Sequence, residues 1–346
     1  MRAVIFDAVG ATPRVRDVPE PVAPDGGVVV RVESTGLCRS DWHAWAGHDD
    51  IALPHVPGHE LAGVVTAVGT GVERWGVGDR VTVPFVCGCG RCAWCAQGDA
   101  QVCPDQEQPG FTHWGSFAEK VALHAADTNL VAVPDTVGLD AAAALGCRFA
   151  TAYRGLAGRA AVRESEWVTV IGAGGVGLSA VMIARALGAR VIAVDRHREA
   201  LDAARSLGAE HVVVSDGVTR VPDAVHELTS GGSHVAVDAV GGERTCADAI
   251  LSLRRRGRQV QIGLLPPVDG HPRVPMDRVI GWELDLLGSH GMSAADYPGM
   301  LALIGQGRLR PDDLVERVIG LTEAADLLPR FDSATVAGMT MIHPGG

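Results

Sequence analysis

The sequence lacks long apolar runs, blocks of like charge and internal repeats. A membrane-spanning helix needs about 18 or more consecutive apolar residues, and no run approaches that length. The net charge of −11, from 30 basic and 41 acidic residues, argues against a protein that binds nucleic acid through a basic surface. These absences favour an enzyme of small uncharged molecules, with no nucleic-acid or membrane partner.

The first residues of the sequence do not resemble a secretion signal. Residues 1–7 have the pattern of a short strand, without the apolar core and cleavage site of a signal peptide. We therefore expect a cytoplasmic protein. In that reducing compartment, clustered cysteines more often bind metal than form disulfides.

The 346 residues suffice for two domains, and the sequence pattern changes between two parts of the chain. The first 150 residues or so contain short β segments bounded by glycine and proline. From about Glu166, apolar strands alternate with helical stretches as far as residue 287. Such alternation predicts an α/β fold with a parallel, doubly wound sheet.

A glycine-rich turn follows the first strand of this alternating part. Residues 168–171 form a compact apolar strand, and the next six residues have the pattern G-x-G-x-x-G before a predicted helix at Leu178–Leu187. The glycines allow a tight turn, a close approach to a pyrophosphate and close helix packing. The predicted dinucleotide site comprises Gly172, Gly174, Gly175, Val176 and Gly177. A glycine-rich turn without a nucleotide is the alternative.

An acidic residue, Asp195, ends the next predicted strand. Its carboxylate can accept hydrogen bonds from ribose hydroxyls and would repel a 2′-phosphate, which favours NAD over NADP. Arg196 and Arg198 stand nearby and can soften that preference.

Five of the eight cysteines fall within seventeen residues. Cys89, Cys92, Cys95 and Cys103 have the spacing C-x2-C-x2-C-x7-C, which suits a closed tetrahedral zinc site of structural type. Unliganded cysteines and an iron–sulfur cluster are the alternatives. Cys87 lies outside the pattern and has no assigned role, although it could substitute as a ligand.

A second set of candidate ligands is dispersed along the chain. Cys38 stands in GLCRSDWH, His59 in GHE and Cys147 in GCR. Spacing alone does not group them, because a single cysteine is more often a small core residue and a single histidine more often a hydrogen-bonded one.

These segments, the four-cysteine lobe and the glycine-rich turn occur in an order that resembles the zinc-containing medium-chain alcohol dehydrogenase family over essentially the whole chain. The resemblance implies a GroES-like, β-rich catalytic domain at residues 1–151 and 289–346, and a Rossmann domain at 152–288. It also implies that Cys38, His59 and Cys147 hold a catalytic zinc, so that each chain carries two Zn²⁺ ions.

The same resemblance implies roles for the neighbours of these ligands. Glu60 would lie beside or transiently on the metal, and Ser40 would pass a proton through the ribose to His43. The alternatives are a turn serine and a surface histidine. Asp41 would orient His59, or cap a helix that begins at Trp42.

Three further residues match family positions. Arg39 would contact the coenzyme pyrophosphate, with a solvated surface arginine as the alternative. Thr151 would lie near the nicotinamide, or bond to its own helix. Phe85 would form an aromatic wall of the substrate pocket, although any single aromatic residue is more often core.

The predicted function is reversible hydride transfer between NAD(H) and a primary, secondary or benzylic alcohol. A polyol dehydrogenase of the same superfamily is one alternative, and a catalytically silent nucleotide-binding protein is another. The resemblance further implies a homotetramer or homodimer, in which residues 283–287 pair with a partner.

Overall fold

Valine-rich segments between glycine and proline turns form the strands of the first part of the chain. In the computed structural model, which describes residues 1–265, 270–332 and 338–346, the chain divides into two units. One unit is Met1–Ala150 with Gly291–Gly346, and the other is Thr151–His290. The sequence places the first boundary one residue later and the second boundary two residues earlier.

The first unit is built on a seven-stranded sheet and a small antiparallel ribbon. The ribbon pairs β1 (Arg2–Ile5) with β2 (Arg14–Asp17). The strands of the sheet are β3 (Val28–Leu37), β4 (Glu60–Val68), β5 (Arg80–Thr82), β6 (Lys120–Leu123), β7 (Val131–Ala132), β14 (Val315–Ile319) and β15 (Met339–Ile342). Their order is β14-β15-β3-β4-β5-β7, with β6 paired to β3.

Alternating valines of the long central strands are buried, because a half-covered antiparallel sheet turns every second side chain inward. Val28, Val30 and Val32 of β3 pack with Leu61 and Val65 of β4 in one core cluster. The α-helices of this unit are α1 (Arg39–Ala46), α2 (Ala93–Ala96), α3 (Ala126–Asn129), α4 (Leu139–Ala144), α11 (Tyr297–Gly305) and α12 (Leu321–Leu327).

A helical segment runs from Leu139 to Arg159 and carries the chain from one unit to the next. It begins as α4 and continues through a π-helical turn at Leu145–Phe149 and α5 (Ala150–Tyr153), to a second π-helical turn at Arg154–Arg159. Its start is rich in alanine, which is the best helix former, and Ala141 to Ala144 are fully buried. One prediction for Thr151 places it on a helix, but the bounds of this segment and its π-helical turns were not predicted.

The second unit is a parallel sheet of six strands with helical crossovers. The strands are β8 (Trp167–Ile171), β9 (Arg190–Asp195), β10 (His211–Val214), β11 (Ser233–Asp238), β12 (Leu253–Gln261) and β13 (Asp285–Gly288). The helices are α6 (Gly175–Ala186), α7 (Arg198–Ser206), α8 (Val221–Thr229), α9 (Glu243–Leu251) and α10 (Met276–Trp282).

The strand order is β10-β9-β8-β11-β12-β13, and each of these pairs is parallel. In chain order this is 3-2-1-4-5-6, the arrangement of a dinucleotide-binding sheet whose order reverses beside its first strand. The predicted fold class is thus confirmed. The short α10 was not predicted. In residues 1–265, 270–332 and 338–346, no helix is long and apolar enough to cross a membrane.

Candidate active site

The three dispersed candidate ligands come together in the first unit. One ligand atom from each of Cys38, His59 and Cys147 lies within 4.8 Å of the other two. The antiparallel register that pairs Gly36 with Glu60 explains how the first two meet. Cys38 follows the end of β3 and His59 precedes the start of β4, so both lie at the same end of the ladder.

Cys147 reaches the cluster from the π-helical turn at Leu145–Phe149. Such a turn inserts one extra residue into a helix and redirects a side chain, and π-helical turns are frequent at functional sites. Gly146 pairs with the loop after β5, since its carbonyl accepts a 3.0 Å hydrogen bond from the amide of Phe85.

His59 is fully buried, and its two ring nitrogens have different surroundings. Its Nδ1 lies 3.0 Å from Oδ1 of Asp41. Its Nε2 is buried without a hydrogen-bond partner among the described residues. An unsatisfied buried nitrogen is costly, and one beside two cysteine sulfurs fits a zinc ligand set of one imidazole and two thiolates.

Asp41 hydrogen-bonds to both chain segments that carry the candidate ligands Cys38 and His59. Its Oδ1 also accepts from the Gly58 amide at 3.0 Å, and its Oδ2 accepts from the Cys38 amide at 2.9 Å. The expected helix start at Trp42 is wrong: α1 begins at Arg39, with Cys38 as its N-cap. Asp41 is the third residue of α1, and its carboxylate caps the helix by accepting a hydrogen bond from the backbone amide of the N-cap Cys38. The same carboxylate holds the imidazole of His59.

The two thiols of the cluster differ in acidity. A hydrogen bond with Cys147 lowers the pKa of Cys38 well below its usual range, although burial opposes this. The same hydrogen bond and burial raise the pKa of Cys147. Binding of a cation would favour the thiolate form of both cysteines.

Glu60 is held by Arg148, a residue for which no role was predicted. Its Oε1 accepts from the backbone amide and Nε of Arg148, both at 3.0 Å, and its Oε2 accepts from Nε at 3.1 Å and from the terminal NH2. Both side chains are buried. Burial alone disfavours the charged guanidinium, but the carboxylate overcomes this and raises the pKa of Arg148.

The partner of Glu60 could have been suspected from the sequence. An arginine directly after Cys147, in an alanine-rich helical stretch, must be buried there and needs an acidic partner. A Cβ atom on Gly36 would overlap Oε2 of Glu60, so the missing side chain at that position makes room for the ion pair.

The four clustered cysteines also converge. Ligand atoms of Cys89, Cys92, Cys95 and Cys103 lie within 4.8 Å of one another, with the Cys92 sulfur 3.5 Å from that of Cys95 and 3.6 Å from that of Cys103. The spacing therefore predicted their proximity. Four convergent sulfurs in a loop with few apolar anchors fit a tetrahedral metal.

Cys87 lies apart from this cluster. Its Sγ is 3.4 Å from the carbonyl oxygen of Pro84, and it packs among the buried valines of β3, β4 and β5. Burial raises the pKa of its thiol to about 12. A buried, protonated thiol packs as a small apolar side chain.

The glycine-rich turn of the second unit joins β8 to α6. Gly172 has a φ of 92°, and Gly174 is the N-cap of a helix that begins at Gly175, three residues before the predicted Leu178. A Cβ atom on Gly177 would overlap the carbonyl oxygen of Gly172, whereas one on Gly174 would meet no atom within 4 Å. The space around Gly174 suits a phosphate at the helix N-terminus.

Asp195 is the last residue of β9. Its Oδ2 accepts from the Ala173 amide at 2.7 Å and its Oδ1 from the His197 amide at 2.8 Å. The carboxylate is thus fixed beside the glycine-rich turn. Nε of Arg196 lies 2.9 Å from Nε2 of His197.

Comparison with known proteins agrees with both units. Residues 24–135 match the model of an alcohol dehydrogenase GroES-like domain, and residues 175–306 match that of a zinc-binding dehydrogenase. An alcohol dehydrogenase from Geobacillus stearothermophilus is 33% identical over 348 residues, covering 99% of both chains. The chain belongs to the zinc-containing medium-chain dehydrogenase family.

Solved structures of this family have the same fold. A structure described as an NAD-dependent alcohol dehydrogenase has a TM-score of 0.90 at 31% identity and covers 100% of both chains. An alcohol dehydrogenase from Thermus sp. ATN1 has a TM-score of 0.90 at 30% identity over 99% of both chains. This medium-chain dehydrogenase is therefore an oxidoreductase of a family that uses zinc and a nicotinamide nucleotide.

The two relay candidates of this medium-chain dehydrogenase lie on α1. Oγ of Ser40 is 3.8 Å from the Cys38 sulfur, so the hydroxyl lies next to the metal-ligand cluster. His43 is half-buried, and its Nδ1 is 2.8 Å from Nδ1 of His48. No role was predicted for His48.

Two aromatic rings flank His59. Phe85 is buried, with its ring centroid 5.9 Å from that of His59 in an edge-on arrangement. Phe111 lies at 5.2 Å and was not predicted, because nothing near it in the sequence marks it. The cluster thus has apolar walls on two sides.

Arg39 and Thr151, which were predicted to contact the coenzyme, each form a hydrogen bond within their own unit. NH1 of Arg39 lies 3.0 Å from Oδ1 of Asp332, so this arginine is paired with a carboxylate on the surface. Thr151 is buried, and its carbonyl accepts a 3.1 Å hydrogen bond from Oγ of Ser289.

Proposed function

We propose that the protein is an NAD-dependent zinc alcohol dehydrogenase, which transfers hydride reversibly between an alcohol and the nicotinamide. The observation that carries this proposal is the buried Nε2 of His59, which has no hydrogen-bond partner in the described part of the chain and lies beside the sulfurs of Cys38 and Cys147. Three protein ligands leave a fourth position for a substrate, which distinguishes a catalytic zinc site from a structural one.

Two zinc ions per chain belong to this proposal. Cys38, His59 and Cys147 would hold the catalytic ion, while Cys89, Cys92, Cys95 and Cys103 would hold a closed structural ion. When bound, the catalytic zinc supplies a Lewis acid that lowers the pKa of the alcohol hydroxyl. The hydroxyl of Ser40 accepts the released proton, which leaves through His43.

The Glu60–Arg148 pair has a supporting role in this scheme. Arg148 occupies both carboxylate oxygens of Glu60, so Glu60 must break buried hydrogen bonds before it can approach the metal. We therefore assign Glu60 to shaping the site through Arg148, with a transient contact to zinc only when that pair opens.

NAD is the proposed nucleotide. The turn from Gly172 to Gly177, including Gly175 and Val176, would cradle the pyrophosphate at the start of α6, and the Asp195 carboxylate would disfavour a 2′-phosphate. Arg39 and Thr151 would contact the coenzyme, Arg39 after releasing Asp332. Arg196 next to Asp195 is the residue that would moderate the preference against NADP.

Primary, secondary and benzylic alcohols are the proposed substrates. Phe85 and Phe111 next to His59 give an apolar surrounding that favours hydrocarbon chains and rings over polyhydroxylated ones. We further propose a cytoplasmic enzyme, since its thiols must stay reduced. Its assembly would be a homodimer or homotetramer that pairs through the edge strand β13.

The test combines a substrate panel with metal analysis. Aliphatic, benzylic and polyol substrates are assayed at 340 nm with NAD⁺ and NADP⁺ in parallel, on protein whose zinc content is measured. We expect turnover of apolar alcohols with NAD⁺. Preferred oxidation of polyols would identify the protein as a polyol dehydrogenase instead. Nucleotide binding without turnover would overturn the assignment as an enzyme.

Replacing Cys147 with alanine tests the ligand set. We expect turnover and one zinc to be lost while NADH binding, measured by fluorescence, is retained. Unchanged turnover would remove Cys147 from the site.

A further inference from the structure

Three aromatic rings are grouped around the end of α1, beside the proposed proton exit. The ring centroids of His43 and His48 are 5.1 Å apart, and that of Trp42 lies 5.1 Å from His43 and 5.4 Å from His48. His43 is half-buried, whereas His48 is exposed. The pair therefore connects the interior of the first unit with its surface.

The backbone brings His48 back over His43. The helix ends at Gly47, which has a φ of 85°, and the amide of His48 donates a 2.9 Å hydrogen bond to the carbonyl of His43. This left-handed ending reverses the chain after the last helical turn. A Cβ atom on Gly47 would also lie 2.6 Å from Cγ1 of Val9, so two constraints favour glycine there.

The two imidazoles are joined through like atoms. Nδ1 of His43 is 2.8 Å from Nδ1 of His48, a distance at which one nitrogen donates and the other accepts. When His43 is the donor, its Nε2 is bare and can take up a proton. The two rings then form a continuous path in which each ring gains a proton at one nitrogen and loses one at the other.

The surroundings of His43 disfavour its protonated form, mainly through burial. Burial lowers the pKa of His43, and His48 and Arg39 act in the same direction, whereas Asp49 and Asp332 oppose them. A half-buried imidazole with a lowered pKa passes on a proton more readily than it keeps one.

We propose that His48 is the outer member of a two-histidine relay that carries the substrate proton from His43 to water. This inference rests on the proposed alcohol dehydrogenase activity. His48 acts through His43, and the turn at Gly47 holds the two rings in register.

The proton count balances in both directions. During alcohol oxidation, a proton binds Nε2 of His43, the Nδ1 proton of His43 moves to Nδ1 of His48, and His48 releases a proton to water. Exchange with solvent then restores the starting tautomers. In the opposite tautomer, where His48 donates to His43, the same path carries a proton inward for carbonyl reduction.

The test compares His48→Asn, His43→Asn and the double variant with wild-type enzyme. His271→Asn is the matched control, because His271 is an exposed histidine of the second unit. Asparagine keeps a polar side chain but cannot pass a proton between two ring nitrogens. The kcat for alcohol oxidation is measured between about pH 6 and 9, with and without added imidazole.

We expect His48→Asn to lower kcat on the order of fivefold at the acid end, and less as hydroxide becomes available. Added imidazole should restore much of the loss. The kcat of the double variant should be no lower than that of His43→Asn. Because both histidines act on one proton path, breaking the path a second time causes no further loss of kcat. Thermal unfolding of His48→Asn should match that of the control.

Three outcomes would overturn the relay. They are an unchanged kcat in His48→Asn, a loss that neither pH nor imidazole alters, and a double variant whose loss is the product of the single losses. A wild-type protein that oxidises no alcohol would overturn the proposed function together with the relay. An active wild type with an unaffected His48→Asn variant overturns the relay alone.

Discussion

Oδ1 of Asp41 lies 3.0 Å from Nδ1 of His59, while Oδ2 of the same carboxylate accepts the amide of Cys38 at 2.9 Å. One buried side chain therefore orients the imidazole of one candidate ligand and the backbone of another. Residues that hydrogen-bond to a metal-ligating histidine set its tautomer and direction. Asp41 is thus central to the geometry of the cluster without being a ligand.

Asp41→Asn should weaken the catalytic metal site. We expect zinc affinity there to fall roughly 10- to 100-fold, because a neutral amide orients the imidazole less strongly. Zinc retained after dialysis against a chelator measures the effect, with the four-cysteine site as an internal reference. Asp50→Asn, an exposed change nine residues further along the chain, is the control. Equal zinc retention in the two variants would contradict the role of Asp41.

Breaking the Glu60–Arg148 pair should destabilise the first unit. Arg148→Met leaves a buried carboxylate without its partner, so the free energy of unfolding in urea should fall by about 3–5 kcal/mol. The double variant Glu60→Gln/Arg148→Met should recover much of that loss. Arg205→Met breaks an exposed pair with Asp202 and should cost less than about 0.5 kcal/mol. Equal effects of the two single arginine variants would argue against a buried ion pair.

Cysteines five residues apart should differ in their effect on zinc content. Cys92 belongs to the four-sulfur cluster and Cys87 to the valine core. Cys92→Ala should therefore lose one zinc per chain, whereas Cys87→Ala should keep the full content. Metal analysis of the purified variants measures both, and loss of zinc from Cys87→Ala would make Cys87 a ligand after all.

Two glycines of the nucleotide turn should respond differently to alanine. A Cβ atom on Gly177 would overlap the Gly172 carbonyl oxygen, so Gly177→Ala should destabilise the fold by about 1–3 kcal/mol. Gly174 has open space around its Cα, which the nucleotide would occupy. Gly174→Ala should unfold at the wild-type temperature but bind NADH on the order of tenfold more weakly. Unchanged NADH binding by Gly174→Ala would place the pyrophosphate elsewhere.

Much of the second unit could be predicted from local pattern. Its strands are apolar runs bounded by turn residues, and their alternation with helices implies parallel pairing with little ambiguity. Helix starts were less predictable. Both α1 and α6 begin three residues before the predicted position, at Arg39 and Gly175, because capping is a backbone event that side-chain periodicity does not report.

The residues missed in the site share one property. Arg148, Phe111 and His48 act through contacts with Glu60, His59 and His43, and no spacing rule connects the first two pairs in the sequence. His43 and His48 are close in sequence, but their contact depends on the left-handed turn at Gly47. Sequence motifs are defined by residue types at fixed intervals along the chain, whereas these contacts depend on the path of the folded backbone.

The sequence by itself determined the alternation of strands and helices, the four-cysteine spacing and the glycine-rich turn, because each depends on residues that are near neighbours in the chain. Only the tertiary structure decided that Cys38, His59 and Cys147 meet, that Arg148 forms an ion pair with Glu60, and that Cys87 is a core residue. The β3–β4 register and a π-helical turn produce these results. They arise from long-range pairing and burial, which no local window of sequence contains.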